Sequence, residues 1–257
     1  LPEKVQWRVY LELADLAKRS NKFEEARRLY RQVCELQPYA SQGWLEYSKL
    51  EEEGGHLNRC SKILQSGLEY CALSENLVTR AIKHEEKMGN LHRARQLLAR
   101  LKHVGIEKVW RTVLEGALLE ARAGNHIMAR RVLKYLMHHV PWYGPLYLES
   151  YRLEKDLGQT SDALTIVERG LNAIPRYGPL WFGAFRLCEA IDIENHDFML
   201  SNAVAMFERA QISISRELLW KVHLEAAQIF ERAAVASVLA DPALPIDTKL
   251  AACRKRY

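Results

Sequence analysis

The 257 residues are 48% hydrophobic with a net charge of +5, enough chain for one large domain or a repeat array. No apolar run approaches a membrane span, so a soluble protein with no membrane partner is expected. Leu, Ala, Glu, Arg and Lys are abundant while Gly numbers 13 and Pro 8, a composition that argues for an all-α protein. Cys34, Cys60, Cys71, Cys188 and Cys253 are odd in number and form no CxxC pair, which points to reduced thiols in an intracellular protein. Residues 1–140 hold 24 Lys and Arg against 17 Asp and Glu. This basic first half suits a polyanion partner, and a solvated, ion-paired helix surface accounts for it equally well. Leu1-Pro2-Glu3 shows neither an initiator Met nor a signal pattern, so the chain reads as a piece of a longer protein.

From the N-terminus onward, a small residue followed four positions later by an apolar one recurs. The pairs are Ala26/Tyr30, Cys60/Leu64, Ala94/Leu98, Ala129/Leu133, Ala163/Val167 and Ala203/Phe207, with first members 34, 34, 35, 34 and 40 residues apart. A small side chain there lets two helices approach, and the residue one turn on fills the gap. Five residues before the first five anchors stand Asn21, Gly55, Gly89, Gly124 and Gly158, which mark a tight turn with left-handed backbone. Nine before stand Ala17, Glu51, Glu85, Glu120 and Glu154, and sixteen before stand Tyr10, Trp44, Val78, Val113 and Tyr147. Each unit therefore predicts a large apolar residue, a first helix, a Glu, a turn, and a second helix with its small anchor. Pro141-Trp142-Tyr143-Gly144-Pro145-Leu146-Tyr147 recurs as Pro175-Arg176-Tyr177-Gly178-Pro179-Leu180-Trp181. Such a stretch ends one helix and launches the next. A period of this length with helix–turn–helix content marks a repeat array, in which no unit buries its apolar face alone.

The predicted repeats are 5–38, 41–72, 75–104, 107–140, 144–174 and 178–214. About six extra residues around Ile191–Phe198 are expected to lengthen the inner turn of the sixth at Asp192-Ile193-Glu194-Asn195-His196-Asp197. A seventh begins near Glu217 with Trp220 and His223 and runs to a loop at Asp241-Pro242-Ala243-Leu244-Pro245. Cys253-Arg254-Lys255-Arg256-Tyr257 matches Ala26-Arg27-Arg28-Leu29-Tyr30 in form, so the chain is expected to stop inside a second helix. The expectation is one array over residues 1–257, of about six repeats and a partial seventh.

Trp44-x-x-Tyr47-x-x-x-Glu51 resembles the first helix of the HAT (half-a-TPR) repeat. Ala26-Arg27-Arg28-Leu29-Tyr30 and Phe207-Glu208-Arg209-Ala210 resemble its second helix, and Pro38, Pro141 and Pro175 its closing proline. Val78 and Val113 in place of the aromatic, Ala17 in place of the Glu, and Cys188 at the sixth Glu position depart from the pattern. The resemblance implies a right-handed α–α superhelix, a solenoid of stacked antiparallel helix pairs. It implies a scaffold of RNA-processing assemblies with protein partners, in the nucleus, or an RNA-binding factor of a chloroplast or mitochondrion.

The sequence carries no HExxH, GxSxG, P-loop or GxGxxG motif, so no catalytic residue, cofactor, metal or small-molecule substrate is expected. His84-Glu85-Glu86 has the residue types for acid–base work, yet Glu85 falls on the repeated Glu position. His138-His139 lacks a third ligand at helical spacing. The second-helix arginines Arg27, Arg28, Arg31, Arg93, Arg95, Arg130 and Arg131 form the densest basic group and read as a solvated outer face. Eleven residues before the anchors stand Asp15, Lys49, Lys83, Leu118 and Arg152, with Arg186 added in the sixth repeat. First helices line the concave side in related arrays, so Lys49, Lys83, Arg152 and Arg186 are candidates for holding RNA phosphates. Glu46 and Glu149 lie at ion-pair spacing from Lys49 and Arg152 and compete for them. Tyr39, Trp142, Tyr143 and Tyr177 lie in the inter-repeat turns and are candidates for contact with RNA or a protein partner.

Overall fold

The computed structural model describes residues 3–197 and 200–240. Thirteen helices and no strand occur among them. In chain order these are α1 (Glu3–Arg19), α2 (Phe23–Leu36), α3 (Ser41–Glu53), α4 (Leu57–Tyr70), α5 (Glu75–Lys87), α6 (Leu91–Ala99) and α7 (Ile106–Arg122). They continue with α8 (His126–His139), α9 (Gly144–Asp156), α10 (Thr160–Ala173), α11 (Gly178–Glu194), α12 (Ser201–Ser213) and α13 (Arg216–Ala240). The chain divides into two compact units, Leu1–Val132 and Leu133–Tyr257, whose boundary falls within α8. In the first unit α1 packs on α2, α3 on α4 and α5 on α6, and each first helix also meets its neighbours, α3 with α5 and α5 with α7. In the second, α9 packs on α10, α11 on α12, and α11 also meets α9 and α13. The predicted loop at Asp241–Pro245 and the second-helix match at Cys253–Tyr257 lie outside the described residues.

The small anchors are why the pairs close. Ala26, Cys60, Ala94, Ala129 and Ala163 are fully buried, and Ala203 is nearly so. Asn21, Gly55, Gly89, Gly124 and Gly158 all adopt positive φ. The amide one residue beyond each donates to the carbonyl five residues back, as in His56 to Glu51 and Asn125 to Glu120, both 2.8 Å. This is the left-handed helix stop that glycine adopts without steric cost.

The sixth repeat corrects an expectation. The extra residues do not simply lengthen the turn: α11 continues to Glu194. His196 takes the left-handed position, and Asp197 N–H closes on the Asp192 carbonyl at 2.7 Å. The buried Asp192 carboxylate then accepts Asn202 Nδ2 at 2.6 Å and Ala203 N–H at 3.0 Å. It thereby satisfies free donors at the start of α12, and that role requires α11 to run on past the usual length.

The departures from the repeat pattern pack well because bulk is exchanged across the helix pair. Trp44 leans on Gly67, where a Cβ would come within 2.8 Å of the indole, and Tyr147 leans on Gly170 in the same way. Where Val78 replaces the aromatic, Leu101 stands at the position of Gly67, and both are buried in one core cluster. The aromatics also use their polar ends. Trp44 Nε1 donates to the Pro38 carbonyl at 2.8 Å, Tyr147 Oη to Pro141 at 3.2 Å, and Trp181 Nε1 to Pro175 at 2.8 Å. Each closing proline thus supplies an acceptor to the aromatic six residues on, which ties the inter-repeat turn to the next first helix.

Candidate functional site

The repeated Glu is buried and works between repeats. Arg27 from α2 donates to Glu51 on α3. Arg95 from α6 makes a two-pronged contact with Glu120 on α7, at 2.7 and 2.8 Å. Arg232 from α13 grips Glu189 on α11, also at 2.7 and 2.8 Å. A planar guanidinium matches a carboxylate in this way. Hydrogen bonds from Arg95, opposed by burial and assisted by Asn125, hold the Glu120 carboxyl below its usual range. Arg27, Arg93 and Arg95 are therefore not merely solvated, as the sequence suggested, while Arg28, Arg31 and Arg131 are exposed. Glu189, not Cys188, takes the arginine in the sixth repeat; Cys188 is buried. Glu85 is held by Asn90 at 3.0 Å, Ser61 at 3.3 Å and Arg93 at 3.4 Å, which makes it a clamp residue. His138 and His139 are exposed at the end of α8, with their rings edge to face.

All four candidate cations meet carboxylates. Lys49 pairs with Glu46 at 2.7 Å and Arg152 with Glu149 at 2.6 Å, both within one helix turn. Lys83 on α5 reaches Glu115 on α7 at 2.9 Å, and Arg186 on α11 reaches Glu225 on α13 at 3.1 Å. Asp15, on the same row, accepts from Tyr30. Further cations of the first unit are engaged along the first helices: Arg80 and Lys87 pair with Glu52, and Arg122 with Glu86 and Glu115.

The turn aromatics separate into two kinds. Tyr39 and Trp142 are open to solvent, at 72% and 66% exposure. Tyr143 and Tyr177 are half-buried, and the Tyr177 ring lies against Gly144, where any Cβ would fall 2.6 Å from it. Tyr39 itself stands edge-on to Tyr70, which stacks on Trp44.

The second unit contains a groove of about 720 Å³ between the first helices α9, α11 and α13. Tyr151, Phe182, Trp220 and Leu224 supply its apolar wall, and Arg152, Lys155, Arg186 and Lys221 its cations. Trp220 is 60% exposed and Leu224 50%, and Lys221 lies 5.4 Å from the Trp220 ring centroid. Arg152 and Arg186 thus line one groove, against an aromatic wall that the sequence reading did not single out. Lys155 and Lys221 have no ion-pairing carboxylate among the described residues. One signal was available: Trp220 and Leu224 stand four residues apart, one helical turn, and so share a helix face.

Comparison with known proteins gives the group to which this architecture is similar. A family model described as "PRP6, TPR-like domain" matches residues 1–257. A TPR-containing protein of Dictyostelium discoideum is 55% identical over 232 residues, which is 90% of this chain and 18% of that protein. The chain therefore spans less than a fifth of the length of this relative. Among solved structures, the C-terminal part of a TPR repeat-containing protein from Cytophaga hutchinsonii matches with a TM-score of 0.64 at 13% identity, covering 95% of this chain and 93% of that one. Pseudomonas aeruginosa pilF matches at 0.57 with 11% identity, covering 81% and 92%. At such identities these likenesses bear on the fold alone, an all-α helical repeat.

Proposed function

The chain belongs to the PRP6 TPR-like domain family, and from that premise we propose that it is a non-enzymatic scaffold holding protein partners in a nuclear RNA-processing complex. The family name supports the RNA-processing context and suggests a splicing assembly. One observation carries the choice of surface: exposed Trp220 and Leu224 stand among Arg152, Lys155, Arg186 and Lys221 in one groove. An extended or helical protein segment fits that lining, with an apolar anchor against Trp220 and Leu224 and acidic residues toward Lys155 and Lys221, since Arg152 and Arg186 are already paired and Asp156 and Glu225 also line the groove. The pairing of Lys49, Lys83, Arg152 and Arg186 with carboxylates favours a protein over an RNA backbone, because a phosphate would have to displace an ion already in place. The exposed Tyr39 and Trp142 are offered as secondary contacts.

The test is purification of the tagged protein from nuclease-treated nuclear extract, beside a Trp220→Ser, Leu224→Ser variant. RNA-processing proteins should accompany the wild type and be lost from the variant. Recovery of none would remove the proposed context. Tight binding of unstructured RNA that weakens when Lys49, Lys83 and Arg152 are replaced by Glu would transfer the site to RNA.

A further inference from the structure

Two positions of the repeat depart from apolar residues in the same place. The anchor is Ala in five repeats and Cys60 in one; the position ten residues before it is Leu16, Leu50, Leu119 and Leu153, and His84 in the third repeat. Cys60 on α4 and His84 on α5 are 0% and 2% exposed. Together with Glu52 on α3 they bring a thiol sulfur, an imidazole nitrogen and a carboxylate oxygen within 4.8 Å of one another. Neither ring nitrogen of His84 has a hydrogen-bond partner among the described residues. A buried imidazole left so is costly, and a leucine at that position, as in the other repeats, would avoid the cost.

We propose that Glu52, Cys60 and His84 form a site for a divalent transition metal of the zinc type. Thiolate, imidazole and carboxylate are the donors such an ion takes, with a fourth position left for solvent. Donors in a tetrahedral site stand about 3.5 Å apart, so the side chains close by an amount that rotamer adjustment supplies. Cys60 releases its proton on binding, and the thiolate and the Glu52 carboxylate balance the two charges of the ion. Arg80 and Lys87 also pair with Glu52; they hold the carboxylate in place and compete with the metal for it. The ion would tie both helices of the second repeat, α3 and α4, to the first helix of the third, α5, as a staple across a repeat boundary.

The test is titration of the reduced 257-residue chain with Co²⁺, read by thiolate-to-metal charge-transfer absorption, followed by displacement with Zn²⁺. Cys60→Ala and His84→Leu install the residues other repeats carry at those positions, and melting curves without metal check that both fold. One Co²⁺ per wild-type chain is expected, with absorption lost in both variants and a Zn²⁺-dependent rise in melting temperature in the wild type only. No binding by the wild type overturns the site, as does absorption that survives either substitution. Absorption that survives Cys60→Ala would place the metal on another cysteine, and absorption that survives His84→Leu would remove the imidazole from the site.

Discussion

At the scale of single residues, the fold rests on carboxylates placed under its surface. Glu51 is fully buried, and Arg27 is the guanidinium that donates to it. Removing the arginine leaves a buried carboxylate with only the looser pair to Arg59 at 3.9 Å, so Arg27→Ala should cost about 3 kcal/mol in urea unfolding. Arg28→Ala, one residue on and exposed, should cost less than about 0.5 kcal/mol. Glu120 adds a pH dependence. Its carboxyl ionises lower in the fold than the ordinary value of 4.5, chiefly through hydrogen bonds from Arg95. Its contribution is present above about pH 4.5 and is lost as pH falls through the lower folded value. Glu120→Gln should therefore flatten the acid side of the stability profile, measured by urea midpoints between pH 3 and 6. Glu51, Glu85, Glu120 and Glu154 were legible from their spacing, whereas Glu189 stands one residue past the expected position. Their partners were not, because Arg27–Glu51 and Arg232–Glu189 join residues 24 and 43 apart. Such separations depend on how repeats stack, which no local spacing encodes.

At the scale of helices, the anchors and the left-handed turns were legible because each is a steric requirement written in one residue type. Ala94 is fully buried in α6, which packs on α5. Ala94→Leu should cost about 1–3 kcal/mol by overpacking, and hydrogen exchange should show protection lost in neighbouring α4 and α7 as well as in α5 and α6. Less legible was the exchange of bulk across a pair, since each half looks like a defect when read alone. Gly67→Leu should destabilise because Trp44 occupies the space, and Trp44→Val should destabilise by leaving a void. The two together reproduce the Val78 and Leu101 arrangement, so the double variant should be more stable than the sum of the singles predicts by at least about 1 kcal/mol. The lengthening of α11 escaped sequence reading for a related reason. An Asp that caps the following helix from the end of the preceding one looks, in sequence, like part of a polar turn.

At the scale of the molecule, the TPR-like repeat fold follows from the grid, whereas the surface that binds does not. A row of cations can be counted from spacing, but whether Lys83 and Arg186 are already paired depends on Glu115 and Glu225, which arrive from the next repeat. The groove in the second unit emerged only when α9, α11 and α13 were placed side by side. In the proposed function this groove, and not exposed apolar surface in general, receives a protein partner. Site-specific photo-cross-linking in cells tests it most directly, with benzoylphenylalanine in place of Trp220 or, as control, of Ile212, which is 89% exposed on the second helix α12. Discrete cross-links to RNA-processing proteins are expected from position 220 and none from position 212. Equal cross-linking at both positions, or adducts from 212 alone, would contradict it.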